Sequence, residues 1–358
     1  MKIATIFGTR PEIIKLSRII NKLDSIYANN HITINTNQNN TFNLNKVFCN
    51  QLNINPTISF ETNVSSFGQE IADIILNSYD ILKQEKPDKL LILGDTYSAL
   101  SVISAKKLGI KIYHMEAGMR SYDSRMPEEH NRKLVDHMSD VNLPYTEYSR
   151  QNLIRENISP KSIFVTGNPI YEVIDHNMEK IKSADLPFGL SDVMKSKFIL
   201  STIHRSENVD NITNLNNIIL GFSKVIKSTG MKIYLFAHPR TVGKLEQFNV
   251  RIPDGLIIND PVGFFEFHKL ISNATLVTSD SGSIPEECDY WKKISVSIRD
   301  STERPEYLES GSMILSGTKP DDIYRCILLG LQKKPFQNTL FHNGIVSDKI
   351  IDIISGKS

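Results

Sequence analysis

Within nineteen residues, from His114 to Arg132, the chain places four carboxylates and three arginines. They are Glu116, Asp123, Glu128 and Glu129, with Arg120, Arg125 and Arg132. The cluster begins where an apolar segment that reads as a buried strand ends. Carboxylates beside arginines at such an end suit a charged substrate and acid/base chemistry on a molecule that carries phosphate. Asp95 follows a second apolar segment, Leu91-Ile92-Leu93-Gly94. Taken singly, Asp95 is as readily a helix cap. Asp95, Glu116 and Glu128 meeting at neighbouring strand ends are harder to explain by capping. Like charges held close raise one another's pKa, so one carboxyl keeps a proton while another acts as base. That suits proton removal from carbon and proton return.

Two further junctions fit an anionic ligand. Gly8-Thr9-Arg10-Pro11-Glu12 lies between an apolar strand and a helix. A glycine admits a ligand to the backbone, the new helix offers unpaired N–H groups, and Arg10 and Lys15 add charge for a diphosphate. A plain strand–helix turn accounts for the same residues equally well. Ser279-Asp280-Ser281-Gly282-Ser283-Ile284-Pro285-Glu286-Glu287 has the same form later in the chain. Ser281, Gly282 and Ser283 can donate to phosphate, and Glu287 can accept from a ribose diol. The alternative is serine capping with acidic residues in a first turn. His204 and, more weakly, His238 also follow apolar strands and can bond a leaving phosphate. Arg304, in Thr302-Glu303-Arg304-Pro305-Glu306, can reach the same diphosphate or belong to a salt-bridged loop.

Several chemistries are excluded. The dinucleotide pattern Gly-x-Gly-x-x-Gly, the phosphate loop ending in Gly-Lys, and the Gly-x-Ser-x-Gly elbow are missing. His204 and His238 lack the spacing of a metal site, so no metal is expected. Net charge is +1, which gives no global field for nucleic acid or an anionic membrane. No apolar run is long enough to span a bilayer, and no signal peptide is expected from the short apolar start. Cys49, Cys288 and Cys326 show no pattern, so free thiols and a cytoplasmic setting are expected.

The 358 residues must bury two cores to position these groups. Strands are expected at 2–7, 31–36, 89–93, 111–114, 141–144 and 163–166. Helices are expected at 11–22, 43–52, 71–83, 98–108, 131–137 and 147–156. The alternation restarts with strands at 198–202, 232–236, 255–258, 274–279 and 294–298. Helices follow at 212–227, 263–272, 284–290 and 320–333. Apolar strands alternating with helices give an α/β class built from parallel sheets covered on both faces. We divide the chain into two doubly wound Rossmann-like domains, 1–169 and 170–340. A helix in 341–358 is expected to pack back on the first domain. Ligands of such sheets bind beyond the carboxyl ends of the strands, where nearly every cluster above falls.

Eight ordered blocks resemble the non-hydrolysing UDP-N-acetylglucosamine 2-epimerase family. They are the 8–12 junction, Gly94-Asp95-Thr96, His114-Met115-Glu116-Ala117-Gly118, and Pro127-Glu128-Glu129-His130-Asn131-Arg132. The rest are His204-Arg205-Ser206-Glu207-Asn208, Asp280-Ser281-Gly282, Glu286-Glu287, and the 302–306 block. The resemblance implies a glycosyltransferase-B-like fold with the active site in a central cleft between the domains. It implies C2 inversion of a UDP-2-acetamido sugar, UDP-GlcNAc to UDP-ManNAc, by elimination and re-addition of UDP, for surface polysaccharide precursors. It places Asp95, Glu116 and Glu128 as the acid/base group and His204 as a partner of the departing UDP. Arg10, Lys15, Arg132, Ser281, Gly282, Glu287 and Arg304 match positions that hold UDP or sugar. A homodimer is implied. No cofactor is needed, because the stereocentre flips without net oxidation.

The chain departs from the family pattern in three places. Ser283 and Pro285 stand where many members have glycine and glutamine. Asn37-Gln38-Asn39 replaces Gly-Gln-His, a region that in some bacterial members helps bind an activating UDP-sugar. The loop 120–127 looks closer to relatives acting on modified sugars, of 6-deoxy-talose or diacetamido-uronate type. Rival functions are a UDP-sugar glycosyltransferase of the same fold, a hydrolysing epimerase, and a non-catalytic nucleotide-sugar sensor. Three carboxylates with His204 favour an epimerase over a transferase or a sensor.

Overall fold

The computed structural model describes residues 1–38, 42–187, 190, 193–334 and 345–357. It contains twelve named strands: β1 (Ile3–Phe7), β2 (His31–Asn35), β3 (Ile58–Ser59), β4 (Lys89–Leu93), β5 (Lys111–Met115), β6 (Val141–Leu143), β7 (Phe198–Thr202), β8 (Lys232–Phe236), β9 (Leu256–Asn259), β10 (Leu276–Ser279), β11 (Ser295–Ser297) and β12 (Met313–Leu315). They form two six-stranded sheets, β3-β2-β1-β4-β5-β6 and β12-β11-β10-β7-β8-β9. Every pairing is parallel. Both sheets have the same doubly wound order, with the chain reversing direction across the sheet between β1 and β4, and between β7 and β10. The alternation of apolar strands and helices read from the sequence therefore describes the molecule.

Period-two burial explains why the central strands are apolar throughout. Ile199 of β7 packs into one hydrophobic cluster with Ile218, Phe222 and Ile327. Its neighbours Phe198 and Leu200 point the other way, into a cluster with Leu270, Ile271 and Cys288. Both faces are covered, so alternation with polar residues is lost.

The helix Arg10–Tyr27 begins at a capping box, with Thr9 as N-cap, Pro11 in the first turn and Glu12 reaching back. Ile13, Leu16, Ile20 and Leu23 recur at helical spacing and are buried. The C-terminal helix Val346–Ser355 buries Val346, Ile350, Ile351 and Ile354 and packs on Arg10–Tyr27. Tyr27 Oη and Ser355 Oγ lie 2.8 Å apart there. Lys22 Nζ is 2.6 Å from Asp348 Oδ1.

The chain divides into two units after His176, because the helix Pro169–His176 packs on Arg10–Tyr27. Val346–Ser355 belongs to the first unit.

The structure differs from the sequence expectations at four places. The helix expected at 131–137 starts at Pro127, whose fixed φ suits a first turn. The helix expected at 98–108 is a 3-10 turn, Tyr97–Ser101, followed by Val102–Lys107. The strand expected at 163–166 reduces to one parallel bridge, Asn142 to Ile163. The edge strands β3 and β12, of two and three residues, are too short to show a period.

Candidate active site

Each site residue of the first unit stands beside the β1/β4 switch point or the neighbouring end of β5. Leu93 and Met115 are paired in register. Asp95 and Glu116 follow them, so both carboxylates project from adjacent strand ends. Gly94 N–H donates to Met115 O at 3.0 Å. The His114 ring returns a bond from Nε2 to Gly94 O at 2.9 Å. Glu116 itself has φ +65°, a left-handed conformation costly for a residue with a Cβ. Each carboxylate has a cation. Arg132 Nε donates to Asp95 Oδ2 at 2.9 Å, and Lys15 Nζ donates to Glu116 Oε2 at 2.6 Å. Lys15 also lies 5.3 Å from the centroid of the Tyr145 ring.

The start at Pro127 puts Glu128 and Glu129 in the first turn, where acidic side chains complement the helix dipole. It also puts Glu129 and Arg132 three apart on one face, with Arg132 Nη1 3.0 Å from Glu129 Oε2. Arg132 thus bridges Asp95 and Glu129. Asn131 Nδ2 donates to Asp95 O at 3.0 Å. Glu129 then holds the preceding loop, accepting from Ser121 N–H and Ser121 Oγ at 2.9 Å each. Glu128 is half-buried. Its charge and that of Glu70 add to burial in raising the Tyr97 phenol. Arg10 opens its helix with its guanidinium 5.7 Å from the centroid of Phe48.

Several supporting groups escaped the sequence reading. Glu12 Oε2 accepts from Gly8 N–H and Thr9 N–H at 2.8 Å each and from Thr9 Oγ1 at 3.0 Å. Its Oε1 accepts from Thr96 Oγ1 at 2.6 Å. One carboxyl therefore ties the loop after β1 to the loop after β4. Burial pushes it up to about 7, against those four donors. Asp136, buried beneath the 116–120 loop, accepts from Gly118 N–H. It lies 2.8 Å from both His114 Nδ1 and Arg120 Nη2. Burial raises its carboxyl, but its interactions with His114 and Arg120 outweigh burial and hold it below the usual carboxylate range. Arg120 is bound besides to Glu156, Nε to Oε1 at 2.8 Å. In the 37–39 region, Asn37 has φ +48° and Gln38 Oε1 accepts from Ser98 N–H at 2.9 Å. Asn39 lies outside the described residues.

The second unit repeats the plan around its β7/β10 switch point. Asp280, fully buried after β10, accepts from His204 N–H at 3.1 Å, Arg205 N–H at 3.0 Å and Asn208 Nδ2 at 3.1 Å. It therefore shapes the loop that carries His204. The His204 side chain is 38% exposed, with Nδ1 3.5 Å from Asp280 Oδ1, so a ligand can reach its ring. Ser281 N–H donates to Ser279 Oγ at 2.9 Å, and the hydroxyls of Ser281 and Ser283 are 3.2 Å apart. Arg304 is buried, with Nε donating to Glu286 Oε1 at 2.6 Å and Nη1 bound to Glu303. Gly282 lies against that pair: a Cβ there would be 2.4 Å from Glu303 Oε1 and 2.8 Å from Arg304 Nη1. Glu287 is buried on the helix Ile284–Tyr290. His238 caps Pro239–Gln247, its Nδ1 accepting from Arg240 N–H at 3.2 Å. Among the described residues no group of three His, Cys, Asp or Glu could hold a metal ion.

Residues 22–355 match the family described as UDP-N-acetylglucosamine 2-epimerase. The chain is 37% identical to a UDP-N-acetylglucosamine 2-epimerase of Methanocaldococcus jannaschii, over 99% of each chain. It is 32% identical, also over 99% of each, to a UDP-2,3-diacetamido-2,3-dideoxy-D-glucuronate 2-epimerase of Pseudomonas aeruginosa. The crystal structure of Methanocaldococcus jannaschii UDP-GlcNAc 2-epimerase in complex with UDP-GlcNAc and UDP is similar with a TM-score of 0.93. It is 35% identical, covering 99% of this chain and 100% of that one.

Proposed function

The chain belongs to the UDP-N-acetylglucosamine 2-epimerase family, and from that premise we propose that it interconverts UDP-GlcNAc and UDP-ManNAc. The observation that carries the proposal is the pair of carboxylates at adjacent strand ends, Asp95 held by Arg132 and Glu116 held by Lys15.

In this reading a carboxylate takes the C2 proton while the C1–O bond to UDP breaks. The electron pair of the C–H bond becomes the C1–C2 double bond of a 2-acetamidoglucal, and UDP departs with the C1 oxygen. A proton then arrives at C2 from the other face, and a UDP oxygen re-forms the bond at C1. Asp95, Glu116 and Glu128 supply the acid/base groups. His204, Arg10, Arg132 and Arg304 meet the charge that develops on the departing diphosphate. Ser281, Gly282 and Ser283 donate to phosphate and Glu287 accepts from the ribose. His238, engaged as a helix cap, contributes at the margin of the nucleotide. The proposal includes a homodimer and a reducing, cytoplasmic setting, which the free Cys49, Cys288 and Cys326 suit.

A second reading has a specific basis in the Pseudomonas relative: the same inversion on a UDP-sugar modified at C3 or C6. Proton NMR of the pure protein with UDP-GlcNAc in D2O, without added cofactor, decides between them. UDP-ManNAc carrying deuterium at C2 supports the first reading. Free sugar plus UDP means a hydrolysing enzyme. No change with UDP-GlcNAc, but deuterium uptake by a 2,3-diacetamido-glucuronate nucleotide, supports the second.

A further inference from the structure

His268 is fully buried on the helix Phe264–Asn273. The Trp291 indole N–H donates to its Nδ1 at 2.9 Å. An indole nitrogen only donates, so Nδ1 is the accepting nitrogen and carries no proton. Burial drives the ring down to about 3, which keeps the imidazole neutral with its proton on Nε2. Nε2 lies 3.4 Å from Glu287 Oε2 and makes no hydrogen bond, to that oxygen or to any other described group. The Phe264 ring, 4.2 Å away between centroids, flanks the imidazole. Trp291 fixes the tautomer, and the surrounding rings limit rotation. The one remaining donor lies beside the Glu287 carboxylate.

We infer that His268 is a positioning residue: its Nε2–H steers one oxygen of Glu287 so that the carboxylate faces the ribose hydroxyls of the UDP-sugar. The inference rests on the reading of Glu287 as the ribose-binding carboxylate. At 3.4 Å the contact is long for a hydrogen bond, and it tightens when nucleotide fixes Glu287. Trp291 is the only tryptophan of the chain, so its emission reports on the same relay.

The test measures binding of UDP and 2′-deoxy-UDP to the full chain by calorimetry, with tryptophan emission recorded alongside. In His268→Asn the amide oxygen takes the place of Nδ1 and keeps the Trp291 bond, but the reach to Glu287 is lost. In His268→Gln the amide N–H reaches towards Glu287 instead. His268→Asn is expected to weaken UDP about tenfold and 2′-deoxy-UDP much less, lowering the ratio of their affinities. His268→Gln is expected to restore UDP binding to within about threefold of the parent. Equal weakening of both nucleotides by His268→Asn, no weakening, or a worse result for His268→Gln would overturn the inference. Glu287→Gln separates the two levels. If it leaves the affinity ratio unchanged, the ribose reading fails and the inference with it. If it collapses the ratio while His268→Asn does not, the inference alone fails.

Discussion

Lys15 Nζ lies 2.6 Å from Glu116 Oε2, and the two side chains are 2% and 11% exposed. One comes from the second turn of the first helix and the other from the end of β5, so the pair exists only because the strands pack as they do. The ammonium fixes the direction of a carboxylate whose backbone already holds an unfavourable φ. Lys15→Met is therefore expected to lower kcat about 100-fold, the scale of a misplaced general acid or base. It is also expected to cost about 3 kcal/mol of stability, since it leaves a largely buried carboxylate without this cation. The double variant Lys15→Met/Glu116→Gln should lose clearly less stability than the two single losses added. Urea unfolding of all four proteins measures this coupling, and simple additivity would contradict it.

Asp95→Asn tests chemistry against binding. The Asn side chain keeps an oxygen for Arg132, so the site should hold its shape, while the proton acceptor is gone. Turnover is expected to fall at least about 1000-fold, with UDP affinity, by calorimetry, within about threefold of the parent. An equal collapse of UDP binding would assign Asp95 to nucleotide binding instead.

The strand ends were legible in the sequence because Leu91 to Leu93 and Ile112 to Met115 are apolar runs with abrupt polar ends. Asp95 and Glu116 stand out on that ground, and Glu128 from the density of charges that follows Glu116. What holds them does not. Arg132 is expected at UDP or sugar, and the fold adds that it joins Asp95 to Glu129. Asp136 and Asp280 act across 18 and 76 residues of chain, and no local pattern marks a buried acceptor whose donors come from another loop. Glu12 was visible only as a residue of a turn motif. Its link to Thr96 appears once β1 and β4 are neighbours. His268 and Trp291, 23 residues apart, carry no spacing signal for the same reason.

Glu12 gives a pH dependence with a definite sign. Its carboxyl rises from 4.5 to about 7 on folding because burial outweighs its hydrogen bonds. Glu306 rises to about 7 as well, through burial first, with Glu286 and Glu303 adding repulsion against the pull of Arg304. Between pH 4.5 and 7 the folded chain keeps protons that the unfolded chain has released. These two groups therefore make a contribution to the free energy of unfolding that falls as pH rises through that window and levels off above it, against a rising contribution below pH 6.5 from His268, whose ring burial keeps neutral in the fold. Each group contributes a slope of up to about 1.4 kcal/mol per pH unit. Glu12→Gln removes one titration while preserving the contacts: the amide oxygen accepts from Gly8 and Thr9, and the amide N–H donates to Thr96. Urea unfolding at pH 5, 6, 7 and 8 should show the stability of the parent relative to the variant falling as pH rises towards 7 and levelling off above it. Parallel curves would show that Glu12 does not titrate in this range.

Gly282 fixes how closely the 281–283 turn approaches Arg304. A methyl added there would stand 2.4 Å from Glu303 Oε1 and 2.8 Å from Arg304 Nη1. Both obstacles are side chains, so the turn need not break. Neither moves freely, because Glu303 Oε2 is 2.8 Å from Arg299 Nη2 and Arg304 is bound to Glu286. Gly282→Ala must therefore push the guanidinium out of its ion-pair geometry, at a cost of about 1–3 kcal/mol of stability. If Arg304 meets the diphosphate, the same displacement weakens UDP about tenfold or more, whereas uridine, which has no phosphate, is nearly unaffected. Calorimetric titration with uridine and UDP reads the difference. Equal weakening of both ligands would remove Arg304 from the diphosphate and leave it as a brace for Glu286 and Glu303.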